Sequence, residues 1–135
     1  MDSAFAKKLL DILIDNALRI MSAGFGVNWA ESAFFDVVRL LREESALKDY
    51  FLERVSATFA VPDAGRLDPE MVPRELIELI AHELRWPELQ VLAHKRIDEF
   101  FGGNVALAVG DVAQSLSEAY SNNWRDREFY EHYKC

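Results

Sequence analysis

Apolar residues return every three or four positions along most of this chain, a period that fits packed helices and little else. Phe5, Leu9, Ile12, Leu13 and Ile20, with Leu18 one place off, form the first stripe and predict a helix that turns those residues inward. Ser3 reads as its N-cap and Gly24 or Gly26 as its stop. Asn28 opens a second helix with Glu31 at capping-box spacing, and Phe34, Phe35, Val38 and Leu41 face the core. Ser45 caps a third, which carries Leu47, Tyr50, Phe51, Val55 and Phe59.

The breakers place the remaining elements. The stretch AVPDAGRLDP, residues 60–69, is the strongest loop signal and marks a boundary between two lobes. Neither half has enough chain for a second domain. Pro73 suits the first turn of a helix running to about Arg85. Trp86-Pro87 ends it, and Pro87 starts another that stops at Gly102-Gly103. The two helices share a pattern, ELIELIAHEL against PELQVLAHKRI, which suits either a degenerate solenoid repeat or two helices with similar packing demands. Residues 104–110, NVALAVG, read as a short helix or entry turn, and 111–121 as a helix with Val112, Leu116, Ala119 and Tyr120 inward. A closing helix begins at Asn123, with Asp126 reaching back to its start. The expected fold is all-α: one domain over residues 1–135, about six to eight helices, a bundle or short α-solenoid-like array.

Composition sorts the partners. Half the 135 residues are hydrophobic and 12% aromatic, enough for a core without disulfides or metal. The net charge is −8, and residues 43–99 hold 13 carboxylates against seven bases. Phosphate backbones and anionic lipids repel such a chain, so nucleic acid and membrane are poor partners and a basic protein a good one. Asp11, Asp15 and Asn16 interrupt the N-terminal apolar run, so it lacks the pattern of a secretory signal. No run of about 18 apolar residues exists to span a membrane. The single cysteine, Cys135, fits a reducing compartment, and a cytoplasmic location is expected.

Catalytic patterns fail on spacing. His82-Glu83 begins like a zinc-protease motif, but the second histidine would fall on Trp86. Glu78 to His82 and Glu128 to His132 are each four apart, one more than the Glu-x-x-His of di-iron bundles. His94 has no companion ligands, and no serine sits in a nucleophile elbow. Gly24-Phe25-Gly26 lacks the third glycine and the strand of a dinucleotide loop. Lys95-Arg96 is too small a basic patch for a recognition helix. The expectation is a protein that is not an enzyme and that holds no cofactor or metal.

What remains is the stretch SNNWRDREFYEHYKC, residues 121–135. Asp126, Glu128 and Glu131 lie among its arginines and suggest ion pairs within a helix. Phe129 and Tyr133 share one face while Trp124 and Tyr130 point elsewhere, so either one aromatic face buries and the other stays partly outside, or all of them pack with the tyrosine hydroxyls bonded at the edge. Exposed aromatics and arginines beside charged residues are marks of a protein interface. A small, acidic helical domain ending in NNWRDREFYEHY resembles the immunity proteins of bacterial polymorphic toxins, especially those of contact-dependent growth inhibition systems. The likeness is one of overall character and carries no residue roles with it. It implies a tight complex in which an acidic inhibitor covers the active site or substrate-binding face of a basic, nuclease-type toxin domain. The residues expected to touch that partner are Glu43, Glu44, Asp49, Glu53, Asp68 and Glu70, joined by Trp124, Asp126 and Tyr130. The alternatives are a small helical enzyme or ligand-binding domain with an interhelical pocket, and a regulatory or scaffold domain that self-associates through its aromatic tail.

Overall fold

The computed structural model describes residues 1–64 and 67–134. Gly65 and Arg66, in the expected lobe-boundary loop, and Cys135 lie outside the described residues. Six α-helices form, with no strand among the described residues: α1 (Ser3–Ser22), α2 (Val27–Glu43), α3 (Lys48–Phe59), α4 (Arg74–Leu84), α5 (Pro87–Phe101) and α6 (Val112–Glu118). Short 3-10 turns occupy Ser45–Leu47, Val105–Ala108, Arg125–Phe129 and Glu131–Tyr133. One hydrophobic cluster runs through residues on both sides of the 60–69 loop, so the chain packs as a single domain.

The breakers act where the sequence puts them. Arg85 takes a left-handed conformation at φ 57° and stops α4, and Gly102 does the same for α5 at φ 59°. The first two helices differ in detail from expectation. Asp2, not Ser3, caps α1, its carboxylate accepting the Phe5 amide at 3.2 Å. The buried stripe is Ala6, Leu10, Ile14, Ala17 and Leu18, while Phe5 and Ile12 stand 58% and 55% exposed. The reason is the neighbour: α1 packs most extensively on α2, and buried Ala6 and Ala17 on one helix with Ala30 and Ala33 on the other allow close approach. The α2 helix starts at Val27, one residue before the expected Asn28 cap; its N-cap is Gly26, which has no side chain to offer, and the Glu31 carboxylate is engaged by the tail instead.

Helix α4 is the centre. Leu76, Ile77, Glu78, Leu79, Ile80, Ala81 and His82 are all buried, so this helix is covered all round. It packs on α2 and α6, whereas α5 packs on α6 and α3. The two similar strings therefore meet different surroundings: His82 is buried and His94 exposed.

Arg96 of α5, 2% exposed, ties the central loop to α6. Its guanidinium donates to the Phe59, Val61 and Pro62 carbonyls, each at 2.7 Å, and to both Asp111 oxygens at 2.9 Å. Asp111 is also the α6 N-cap, accepting the Ala113 amide at 2.9 Å. Burial would raise the Asp111 pKa, but the Arg96 bonds and those amides outweigh it and hold it below the ordinary value.

The closing segment is not a helix. Residues 125–133 form two 3-10 turns that lie against α2 and α4. Glu31 of α2 accepts the Glu131 and His132 amides at 2.8 and 3.1 Å. Phe35 stacks on His132 with centroids 4.3 Å apart. The expected intrahelix ion pairs give way to tertiary contacts: Arg127 donates to His82 Nε2 at 2.9 Å and lies 4.1 Å over the Tyr133 ring. Since a guanidinium only donates, His82 Nε2 must accept, and its Nδ1–H donates to the Ala119 carbonyl at 2.8 Å. His82 is thus neutral, with its pKa lowered by burial and by Arg127 and Arg85, against the Ala119 bond. Replacing Glu31 with alanine is expected to weaken tail docking by about 2 kcal/mol, the scale of hydrogen bonds to a charged group. Hydrogen exchange at the Glu131 and His132 amides should quicken well before the core opens. Unchanged protection there would refute this anchor.

Candidate functional site

Helices α1 and α3 leave an open groove of about 530 Å³ between them. Asp11 and Asp15 come from α1, Tyr50, Glu53 and Arg54 from α3, and Glu70 from the loop ahead of α4. The groove is organised at one end. Tyr50 donates to both Asp11 oxygens at 2.7 and 2.8 Å, and Arg54 bridges Asp11 Oδ1 at 3.1 Å and the Glu70 carbonyl at 2.9 Å. The hydrogen bond to Asp11, with burial, raises the Tyr50 pKa and keeps that phenol a donor. Asp15 pairs with Arg19 at 2.7 Å, both exposed. The Glu53 and Glu70 carboxylates take no hydrogen bond or ion pair from the described residues. Four acidic residues thus line one opening, with Arg54 held between the Asp11 carboxylate and the Glu70 carbonyl.

Of the residues expected to touch a partner, Glu53 and Glu70 come together here, beside Asp11 and Asp15, which the charge census of residues 43–99 passed over. Glu43, Glu44 and Asp49 do not line the groove. Glu43 ends α2, Glu44 lies 3.8 Å from the Met1 amine, and Asp49 sits in the first turn of α3, where its charge suits the helix dipole. Asp68 lines a separate hollow with Val61, Pro62 and Met71.

Trp124 and Tyr130, expected among the partner contacts, are 5% and 1% exposed and so face inward, whereas Phe129 is 54% exposed. The 3-10 geometry rotates the tail relative to a helix, so Trp124 meets His82 and Tyr130 meets Phe35. Asp126, half-buried, joins Trp124, Phe129 and Tyr130 around a partly open pocket of about 200 Å³, which Val27 of α2 and Glu75 and Glu78 of α4 also line. Glu78 is 4% exposed, and burial raises its pKa to about 8, with Asp126, Glu75 and Glu118 adding to the rise and Arg74 opposing it. The spacing of Glu78 and His82 on one face had raised only a metal reading. Among the described residues, no three His, Cys, Asp or Glu side chains are placed to hold a metal ion.

No described helix is long and apolar enough to cross a membrane. Compared with known proteins, the chain matches no family model, no curated protein and no solved structure.

Proposed function

We propose that this chain is an acidic binding domain that neutralises a basic protein, in the manner of an immunity protein against a nuclease-type toxin domain. The observation that carries this reading is the α1–α3 groove, where Asp11, Asp15, Glu53 and Glu70 gather on a chain of net charge −8. A nuclease must present cations to bind phosphates, and a row of carboxylates on a rigid helical support can occupy that face. Glu53 and Glu70 are the carboxylates free to pair across the interface. The role is occlusion; no chemistry is asked of the domain.

The test is co-expression with any basic, toxin-like domain that a neighbouring gene is found to encode; a neighbourhood without one counts against the reading. A stable complex that restores growth and associates more slowly as salt rises is expected. Glu53→Lys with Glu70→Lys should slow association at low salt by roughly tenfold or more, at an unchanged melting temperature. Failure to form a complex removes the function. A complex indifferent to both salt and the double variant removes the groove from it.

A further inference from the structure

We propose that the pocket between α4 and the tail, lined by Glu75, Glu78, Trp124, Asp126, Phe129 and Tyr130, is a binding site for an organic guanidinium group. This site is separate from the α1–α3 groove, and the proposal does not rest on the groove's function.

Two buried polar groups point to a ligand. The Glu78 carboxyl, 4% exposed, and the Tyr130 hydroxyl, on a residue 1% exposed, hydrogen-bond to nothing among the described residues. No buried side-chain nitrogen or oxygen is sealed away without a partner, so both oxygens open onto the cavity they line. Each therefore presents to the cavity hydrogen-bonding capacity that no described protein group uses, and a bound donor can take it up.

The chemistry of the walls selects the donor. Three carboxyls, Glu75, Glu78 and Asp126, face the space together and favour a cation. They are not close enough together to hold a metal ion. The aromatic sides of Trp124, Phe129 and Tyr130 favour a flat cation that can lie against a ring. A guanidinium is planar, presents five N–H donors in a fixed fork and is weakly hydrated, so it can satisfy separated acceptors at once. An ammonium is a compact, strongly hydrated point charge. The same protein already uses guanidinium over rings, with Arg127 4.1 Å from Tyr133 and Arg96 4.7 Å from Phe100. A cavity of about 200 Å³ admits the head group and part of an alkyl stem. Arg74, the cation nearest in sequence, is turned to Ser115 Oγ and forms no ion pair with Glu78.

Binding is coupled to a proton. Glu75 and Arg74 of α4, Glu118 of α6, and Asp126 and Tyr130 of the tail are the charged and titratable groups around Glu78. In the empty pocket Glu78 keeps its proton up to about pH 8. The cation favours the carboxylate, so binding expels that proton and affinity rises with pH until Glu78 is ionised beforehand. The guanidinium stays charged throughout.

The experiment titrates the protein with ethylguanidinium and with its neutral isostere ethylurea, following the Trp124 indole N–H and the Tyr130 ring by NMR. Saturable shifts confined to the pocket are expected for ethylguanidinium alone, with affinity several-fold higher at pH 8.5 than at pH 6. Glu78→Gln keeps the shape and should lose roughly tenfold or more in affinity while staying folded. Asp126→Asn should lose less. Absence of saturable binding, equal binding of ethylurea, or full affinity in Glu78→Gln overturns the proposal. A second titration with acetyl-Gly-Arg-Gly-amide identifies the source of the group. Binding at least as tight as ethylguanidinium assigns the pocket to an arginine of a protein, and exclusion of the peptide assigns it to a free small molecule.

Discussion

Replacing Arg96 with methionine should cost about 3–5 kcal/mol, the range for breaking a buried pair and leaving its partner behind. Methionine fills similar space but donates nothing. The Phe59, Val61 and Pro62 carbonyls lose their donor, and Asp111 keeps a buried charge without its guanidinium. For a domain of this size the midpoint should fall by about 10 °C or more. Lysine should recover little, since a point charge cannot replace a fork that reaches three carbonyls and a bidentate carboxylate. Adding Asp111→Asn to Arg96→Met should cost less than the two losses summed, because the stranded charge disappears. The acid limb carries the same signature. Asp111 has a depressed folded pKa, so its contribution is present above the unfolded value of 3.8 and is lost as pH falls through the folded value. That part of the acid sensitivity should vanish in Arg96→Met. A loss under about 1 kcal/mol in thermal or denaturant melts, the worth of a surface pair, would sink the assignment.

Glu78→Gln should have the opposite sign. The wild-type folded state holds Glu78 protonated up to about pH 8, whereas the unfolded chain ionises near 4.5. A raised folded pKa gives stability that is whole below 4.5 and is lost as pH climbs through about 8. Glutamine removes this penalty. The variant should match wild type near pH 4.5 and exceed it by about 2–4 kcal/mol at pH 8, at 1.36 kcal/mol per pKa unit. The measured quantity is the difference between the two melting curves across that range, so groups common to both, such as His82, cancel. A pH-independent difference would show that Glu78 is not held neutral.

These two side chains show what the sequence could and could not display. Helix ends were legible wherever a backbone breaker stands: Pro73, Trp86-Pro87 and Gly102-Gly103 act through local geometry alone. The phase of α1 was not, because large Phe5 and Ile12 outweigh small Ala6 and Ala17 in any apolar stripe, and only the presence of α2 makes the alanines the buried face. The tail failed for the same physical reason. Its charges and aromatics have helical spacing, yet Glu31, Phe35 and His82 draw them into 3-10 turns through contacts made far along the chain. In the groove, Glu53 and Glu70 were counted among the acids, but Asp11 and Asp15 join them only when α1 lies beside α3. Nothing local marks Glu78 as different from the other glutamates of its helix; burial is a property of its cover.

That cover arrives from a distance. Glu31 holds amides 100 and 101 residues further along, whereas α1 and α2 meet across a short turn. Closing so long a loop is entropically costly, and contacts of large sequence separation form late. Beneath that cover Glu78 is held neutral up to about pH 8, whereas in the unfolded chain it ionises near 4.5. Folding at neutral pH therefore takes up a proton from solution, a stoichiometry that the distant tail contacts help to impose on α4.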